Sequence, residues 1–181
     1  MNKFDPEKFT LSNGKHEKIE DGVCLLEAVS WFSGGAFTDR PSCVGDVLAA
    51  YVRNINDFMK DNATRNKYLI PLIPLLIGTN GTKALEQRRL FTIVDFTVQT
   101  LLPMVLNEIN HSEYAENLRR LEPITDKSSA YTATDAARAA YGAPYAAADV
   151  AKHTECVLGA DTVWTMVVGL IERLCAMKDC D

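Results

Sequence analysis

Apolar residues recur at three- and four-residue spacing along most of the chain, and nowhere do they alternate with polar ones over the length of a strand. A repeat near 3.6 and a repeat of 2 are different ways of turning one face to a core, so this pattern predicts helices. The cleanest case is Val44, Val47, Leu48, Tyr51, Ile55, Phe58 and Met59, which share one side of a helix, while Asp46, Arg53, Asn54 and Asp57 lie elsewhere. The predicted architecture is an all-α, single-domain bundle of about six to eight helices. With 181 residues one domain is the default. An apolar share of 47% supplies a core and excludes a disordered chain.

Residues 1–20 form a polar arm with four lysines and four acids. Ser12-Asn13-Gly14 marks a turn in it, and Phe4 and Phe9 are its anchors. The helical domain spans 21–181. Asp21 is the expected N-cap of a helix through Val23–Phe32, which Gly34-Gly35 ends. That helix is apolar all round, so it belongs in the centre. Pro41, with Ser42 or Asp39 as cap, starts the next one. Pro71 and Pro74 restrict Leu69–Ile77 to one or two short turns, and Gly78-Thr79-Asn80-Gly81 closes that unit. Thr82 caps a long helix over Lys83–Leu102, which Pro103 ends or kinks. On it, Leu85, Arg89, Ile93 and Phe96 share a mostly apolar stripe, and Arg88, Thr92, Asp95 and Gln99 a polar one. A helix over Glu113–Leu121 follows. Residues 128–153 hold eleven alanines together with Tyr131, Tyr141 and Tyr145. Alanine favours helix but buries little area, so this segment suits close approach with tyrosine filling the gaps. Gly142 and Pro144 divide it. The last helix begins near Thr154 or Asp161 and ends at Met177, with Trp164 inward.

Several function classes are excluded. No apolar run follows a basic start, so no secretory signal is expected. The longest uncharged apolar-rich stretch, Tyr68–Thr82, holds two prolines and two glycines and falls short of the roughly 20 residues of a membrane span. Five cysteines, an odd number without a Cys-x-x-Cys pair, read as free thiols in a reducing, cytoplasmic setting. His16, His111 and His153 are far apart and read as surface residues, so no metal and no cofactor is expected. The loop at Gly78–Lys83 lacks the spacing of a phosphate cradle. A net charge of −5 leaves no electrostatic footprint for nucleic acid.

The candidate polar core or pocket is Cys24, Glu27, Asp57, Arg88, Arg89 and Asp95. Cys24 and Glu27 sit three apart on one helix and are neighbours. A carboxylate beside a thiol disfavours the thiolate, so Cys24 reads as structural. Glu27 interrupts an apolar helix and must be paired or neutral. Arg89 interrupts an apolar stripe and is the leading partner, followed by Arg53 and Arg88. Two outcomes stand open: a structural buried ion pair, or a polar pocket around Glu27, Arg89 and Asp57 that holds a ligand. Asp95 reads as a rim residue.

Residues 21 to about 108 carry Gly22-x-Cys24-Leu25-Leu26-Glu27-Ala28-Val29-Ser30-Trp31, Gly34-Gly35 and Thr38-Asp39-Arg40-Pro41-Ser42-Cys43. Asn56-Asp57, Pro71-x-x-Pro74 with Gly78-Thr79, and Glu86-x-Arg88-Arg89 continue the pattern. This combination resembles a family of small helical proteins from actinobacteria and phages, whose Ala-rich tail tends to use Trp where this chain uses Tyr. The resemblance implies an accessory or mobile-element protein and assigns no role to any residue.

The expected function is therefore non-enzymatic binding of a protein partner, with a phage-encoded host-interaction or anti-defence role in the host cytoplasm as its sharper form. A second copy of the chain is among the candidate partners; a membrane and nucleic acid are not. The candidate interaction surface is Tyr131, Arg138, Tyr141 and Tyr145, since tyrosine is favoured at interfaces. The alternative is a small-molecule binder or enzyme using the Glu27 pocket.

Overall fold

A computed structural model describes residues 9–108, 110–141 and 158–179. Tyr145, and the stretch around it from 142 to 157, lie outside the described residues, as does Phe4. The chain is an all-α bundle, as expected, and the described residues contain no strand beyond one isolated bridge between Leu11 and Val23. The helices are α1 (Leu25–Ser33), α2 (Asp46–Phe58), α3 (Asn62–Leu69), α4 (Ile73–Leu76), α5 (Lys83–Phe96), α6 (Leu102–Glu108), α7 (Ser112–Arg119), α8 (Lys127–Tyr141) and α9 (Ala160–Ala176). They fall into two compact units, Met1–Glu86 with Ile171–Asp181, and Gln87–Leu170.

In the first unit α1 packs on α2 and α4. Leu25, Val29, Leu48, Val52, Ile55, Leu72, Ile73 and Leu76 have no exposed surface, so the periodic face of α2 and the apolar α1 do meet the core. The cap of α1 is Cys24 rather than Asp21, because the chain stays extended through Val23 to pair with the arm. Gly34 ends α1 in the left-handed region at φ +83, and its N–H reaches the carbonyls of Ser30 and Trp31. The N-cap of α2 is Gly45, which offers no side chain; Glu86 instead reaches across from α5 and accepts the Val47 N–H at 2.7 Å. Neither Ser42 nor Asp39 is needed as a cap. The two prolines each stand in the first turn of a short helical piece, Ile70–Leu72 and α4, where their missing donors cost nothing.

Helix α3 has no apolar period to announce it. Asp61 starts it, accepting from the Thr64 N–H at 2.8 Å and from the Thr64 hydroxyl at 2.9 Å. Asp126 starts α8 in the same way through Ser129, at 2.8 and 2.9 Å. These hydrogen bonds hold both exposed carboxyls below the ordinary carboxylate value. A lowered folded-state pKa stabilises the fold at pH above the unfolded value and loses that contribution as pH falls through the folded one. The helix starts at Asp61 and Asp126 should therefore fray first on acidification. Amide protection at Thr64 and Ser129 should drop as pH falls below the ordinary carboxylate range; flat protection there would refute the capping role.

Pro103 does not end the long helix. Residues 97–101 form a π turn, and α5, this turn and α6 run on as one helix from Lys83 to Glu108. The wider turn absorbs the donor that proline lacks and the clash of its ring with the preceding turn. Thr82 caps α5 through the Leu85 N–H at 3.3 Å. The stripe of Leu85, Arg89 and Ile93 is buried, arginine included. Over 26 residues the continuous helix is long and apolar enough to cross a membrane by length and composition, and 44% of its most apolar window is buried inside the protein. In the second unit Leu101, Leu106, Val163, Trp164 and Val167 are fully buried, and α6 and α7 form the closest pair.

Candidate functional site

A dense polar network lies where the arm folds onto α1, α2 and α3. Phe9 stacks on Phe32 with ring centroids 5.4 Å apart. From there the backbone is held at nearly every other residue by a side chain of a helix. Leu11 N–H donates to Asn66 Oδ1 at 2.7 Å, and Gly14 N–H to Asp57 Oδ1 at 2.8 Å. His16 N–H donates to Glu27 Oε1 at 2.6 Å, and the Ser12 carbonyl accepts from Asn56 Nδ2 at 3.0 Å. The buried Asn56 also accepts the Leu25 N–H at 3.1 Å, tying α1 to α2. Backbone groups are thus satisfied without a sheet.

Glu27 is the hub. It has no exposed surface and receives three donors: the His16 N–H, the His16 ring at 2.9 Å and the Cys24 N–H at 2.8 Å. The side-chain partner is therefore His16 of the arm, not Arg89, Arg53 or Arg88. His16 is correspondingly not a surface residue, since only 13% of its side chain is exposed. Cys24 lies against Glu27, as its spacing suggested, and burial together with the neighbouring carboxylate pushes its thiol up to about 12. It stays protonated, which suits a structural cap. Asp57 is exposed and serves as the anchor of Gly14.

Arg88, Arg89 and Asp95 belong to the second unit. Arg88 is exposed and Arg89 buried. Asp95 is half-buried and holds the loop before α8, accepting the Ile124 N–H at 3.1 Å and Gln99 Nε2 at 2.9 Å. Cys24 and Glu27 are thus in direct contact, and Asp57 joins them through the arm. Cys24 and Cys43 are free thiols, as expected. No cluster of three metal-ligating side chains occurs among the described residues.

Two features were missed by sequence reasoning. One is Arg65, only 2% exposed, which plugs the end of α2. Its Nε donates to the Asn56 carbonyl at 2.8 Å, Nη2 to the Met59 carbonyl at 2.7 Å, and Nη1 to Asn62. Burial pulls its pKa down, against the attraction of Asp57 and Asp61. The other is Ser12. Its hydroxyl lies 3.1 Å from His16 Nε2 and accepts the Val23 N–H at 3.2 Å. The turn at Ser12-Asn13-Gly14 was legible, but nothing in the spacing links it to Glu27.

In the second unit an open groove of about 520 Å³ runs between the loop after α7 and the start of α8, lined by Arg120, Leu121, Glu122, Asp126, Ser129 and Thr132 among others. Tyr131 lies on α8, outside the lining, and is 72% exposed. Arg138 and Tyr141 fall on the same helix. The chain matches no protein-family model, no curated protein and no solved structure.

Proposed function

We propose that the chain acts by binding a protein partner through the α8 surface of the second unit. The observation that carries this reading is Tyr131, a large aromatic ring left 72% exposed on the helix whose first turns line an open groove. An exposed, rigid amphipathic ring is the kind of anchor that dominates binding energy at interfaces. The occupant is a basic segment of the partner. The chain carries a net −5, and Glu122 and Asp126 outnumber Arg120 in the groove lining. The resemblance to small phage and actinobacterial proteins supports the sharper form, a host-interaction or anti-defence factor working in the host cytoplasm.

Tyr131→Ala should leave the melting temperature nearly unchanged, because an exposed side chain away from caps and cores shifts stability by only about 0.5 kcal/mol. The same change should weaken partner binding by roughly tenfold or more. A photo-crosslinking residue at position 131 should trap one discrete complex in host lysate. Excess wild-type protein should compete it away, and the Tyr131→Ala variant should not. No discrete complex, or equal competition by the variant, overturns the proposal.

A further inference from the structure

Ser12, His16 and Glu27 form a line of three hydrogen-bonding groups whose proton positions follow from their chemistry. A carboxylate only accepts, so His16 Nδ1, 2.9 Å from Glu27 Oε2, carries the proton. In the neutral ring Nε2 is then an acceptor. Ser12 Oγ already accepts the Val23 N–H at 3.2 Å, and its own hydrogen is directed to Nε2 at 3.1 Å. The serine hydroxyl is thereby aimed at an imidazole whose tautomer is fixed by a buried acid, the relation by which serine nucleophiles are activated.

Burial is graded along the line. Glu27 has no exposed surface, whereas Ser12 and His16 are half-buried and reach solvent. Ser12 is also held rigidly. Its N–H donates to the Val23 carbonyl at 2.9 Å, and its carbonyl accepts from Asn56 at 3.0 Å. Gly22 packs its backbone on the pair: a Cβ there would come within 2.7 Å of both Ser12 Oγ and the His16 ring, at a φ of +138. Cys24 does not compete as nucleophile, because its thiol stays protonated.

We propose that Ser12 is a nucleophile, His16 its general base and Glu27 the positioning residue of the imidazole, acting on activated acyl donors such as thioesters and aryl esters. Ser12 Oγ attacks the carbonyl carbon while its proton passes to His16 Nε2. The C–S or C–O bond to the leaving group breaks, and His16 returns the proton to the departing thiolate or aryloxide. Water, deprotonated by the same imidazole, then attacks the acyl-serine, releasing the acid and restoring the Ser12 hydroxyl. The substrate class follows from the donors present. The Ser12 N–H is committed to the Val23 carbonyl, and the Val23 N–H to Ser12 Oγ itself. With neither of these N–H groups turned to the developing oxyanion, good leaving groups are needed.

The test treats the full chain with a fluorophosphonate probe, maps the adduct by peptide mass, and follows p-nitrophenyl acetate hydrolysis. Native protein should carry the adduct on Ser12, and protein unfolded in urea should not. His16→Ala should slow labelling and hydrolysis by about 10²-fold or more. The comparison of native with unfolded wild type stands even if that variant folds poorly. The proposal is overturned by no adduct on Ser12, by equal labelling of native and unfolded chains, or by undiminished labelling of a folded His16→Ala variant.

Discussion

Glu27→Ala should destabilise the chain by roughly 3–5 kcal/mol, the cost of stranding buried donors that shared one carboxylate. At about 2–4 °C per kcal/mol for a chain of this size, the melting temperature should fall by about 10 °C. The three donors that lose their acceptor are the His16 N–H, the His16 ring and the Cys24 N–H, the last at the cap of α1. Glu27→Gln should help little. Oε1 accepts from one group and Oε2 from two, so an amide in either orientation sets an N–H₂ against a donor. His16→Ala should cost less than Glu27→Ala, because two backbone donors still hold the acid and the lost ring was partly exposed. Thermal circular dichroism of the three variants tests the order. An unchanged melting temperature in Glu27→Ala would show that the carboxylate is not the hub.

Arg65→Ala is the second large effect, again roughly 3–5 kcal/mol. The last carbonyls of a helix have no partner within it. In α2 the carbonyl of Asn56, and just past the helix end that of Met59, are met by one guanidinium. Alanine strands both and leaves a cavity. Arg65→Met fills the volume without the donors, so the difference between the two variants separates packing from hydrogen bonding. Arg65→Lys should recover only part, because an ammonium is a single point of charge and cannot spread its donors as the planar fork does. Urea unfolding measures all three. Equal midpoints for methionine and wild type would mean that the carbonyls lose nothing.

The helices with a clean apolar period were legible in the sequence. In α1, α2 and α9 tertiary packing rewards the face that periodicity exposes, so Leu25, Leu48, Ile55 and Trp164 are buried as read. What periodicity does not carry was not legible. Asn62–Leu69 is mostly polar, and a cap at Asp61 with a buried arginine replaces an apolar face. Pro103 is read locally as a breaker, but a π turn placed before it makes the residue harmless. At the candidate site the sequence showed that Glu27 needs a partner and that Cys24 lies beside it. It did not show which partner, since His16 is brought there by an arm with no regular structure, through pairings eleven residues or more apart in sequence.

The division of the chain bears on the order in which it folds. The second unit is continuous, Gln87–Leu170, whereas the first is completed by residues from 171 onward. Thr82, at the start of α5, is met by Asp179, 97 residues further on. During synthesis the first 86 residues must therefore wait, with α1 and α2 made but their unit unfinished, until all of the second unit has left the ribosome. The tethering of the arm by Asn56, Asp57 and Asn66 lies wholly within the first 86 residues, so it needs nothing from the second unit to form and to cover apolar surface in that interval. The polar clasp is, in kinetic terms, a temporary lid on a core whose last helix arrives late.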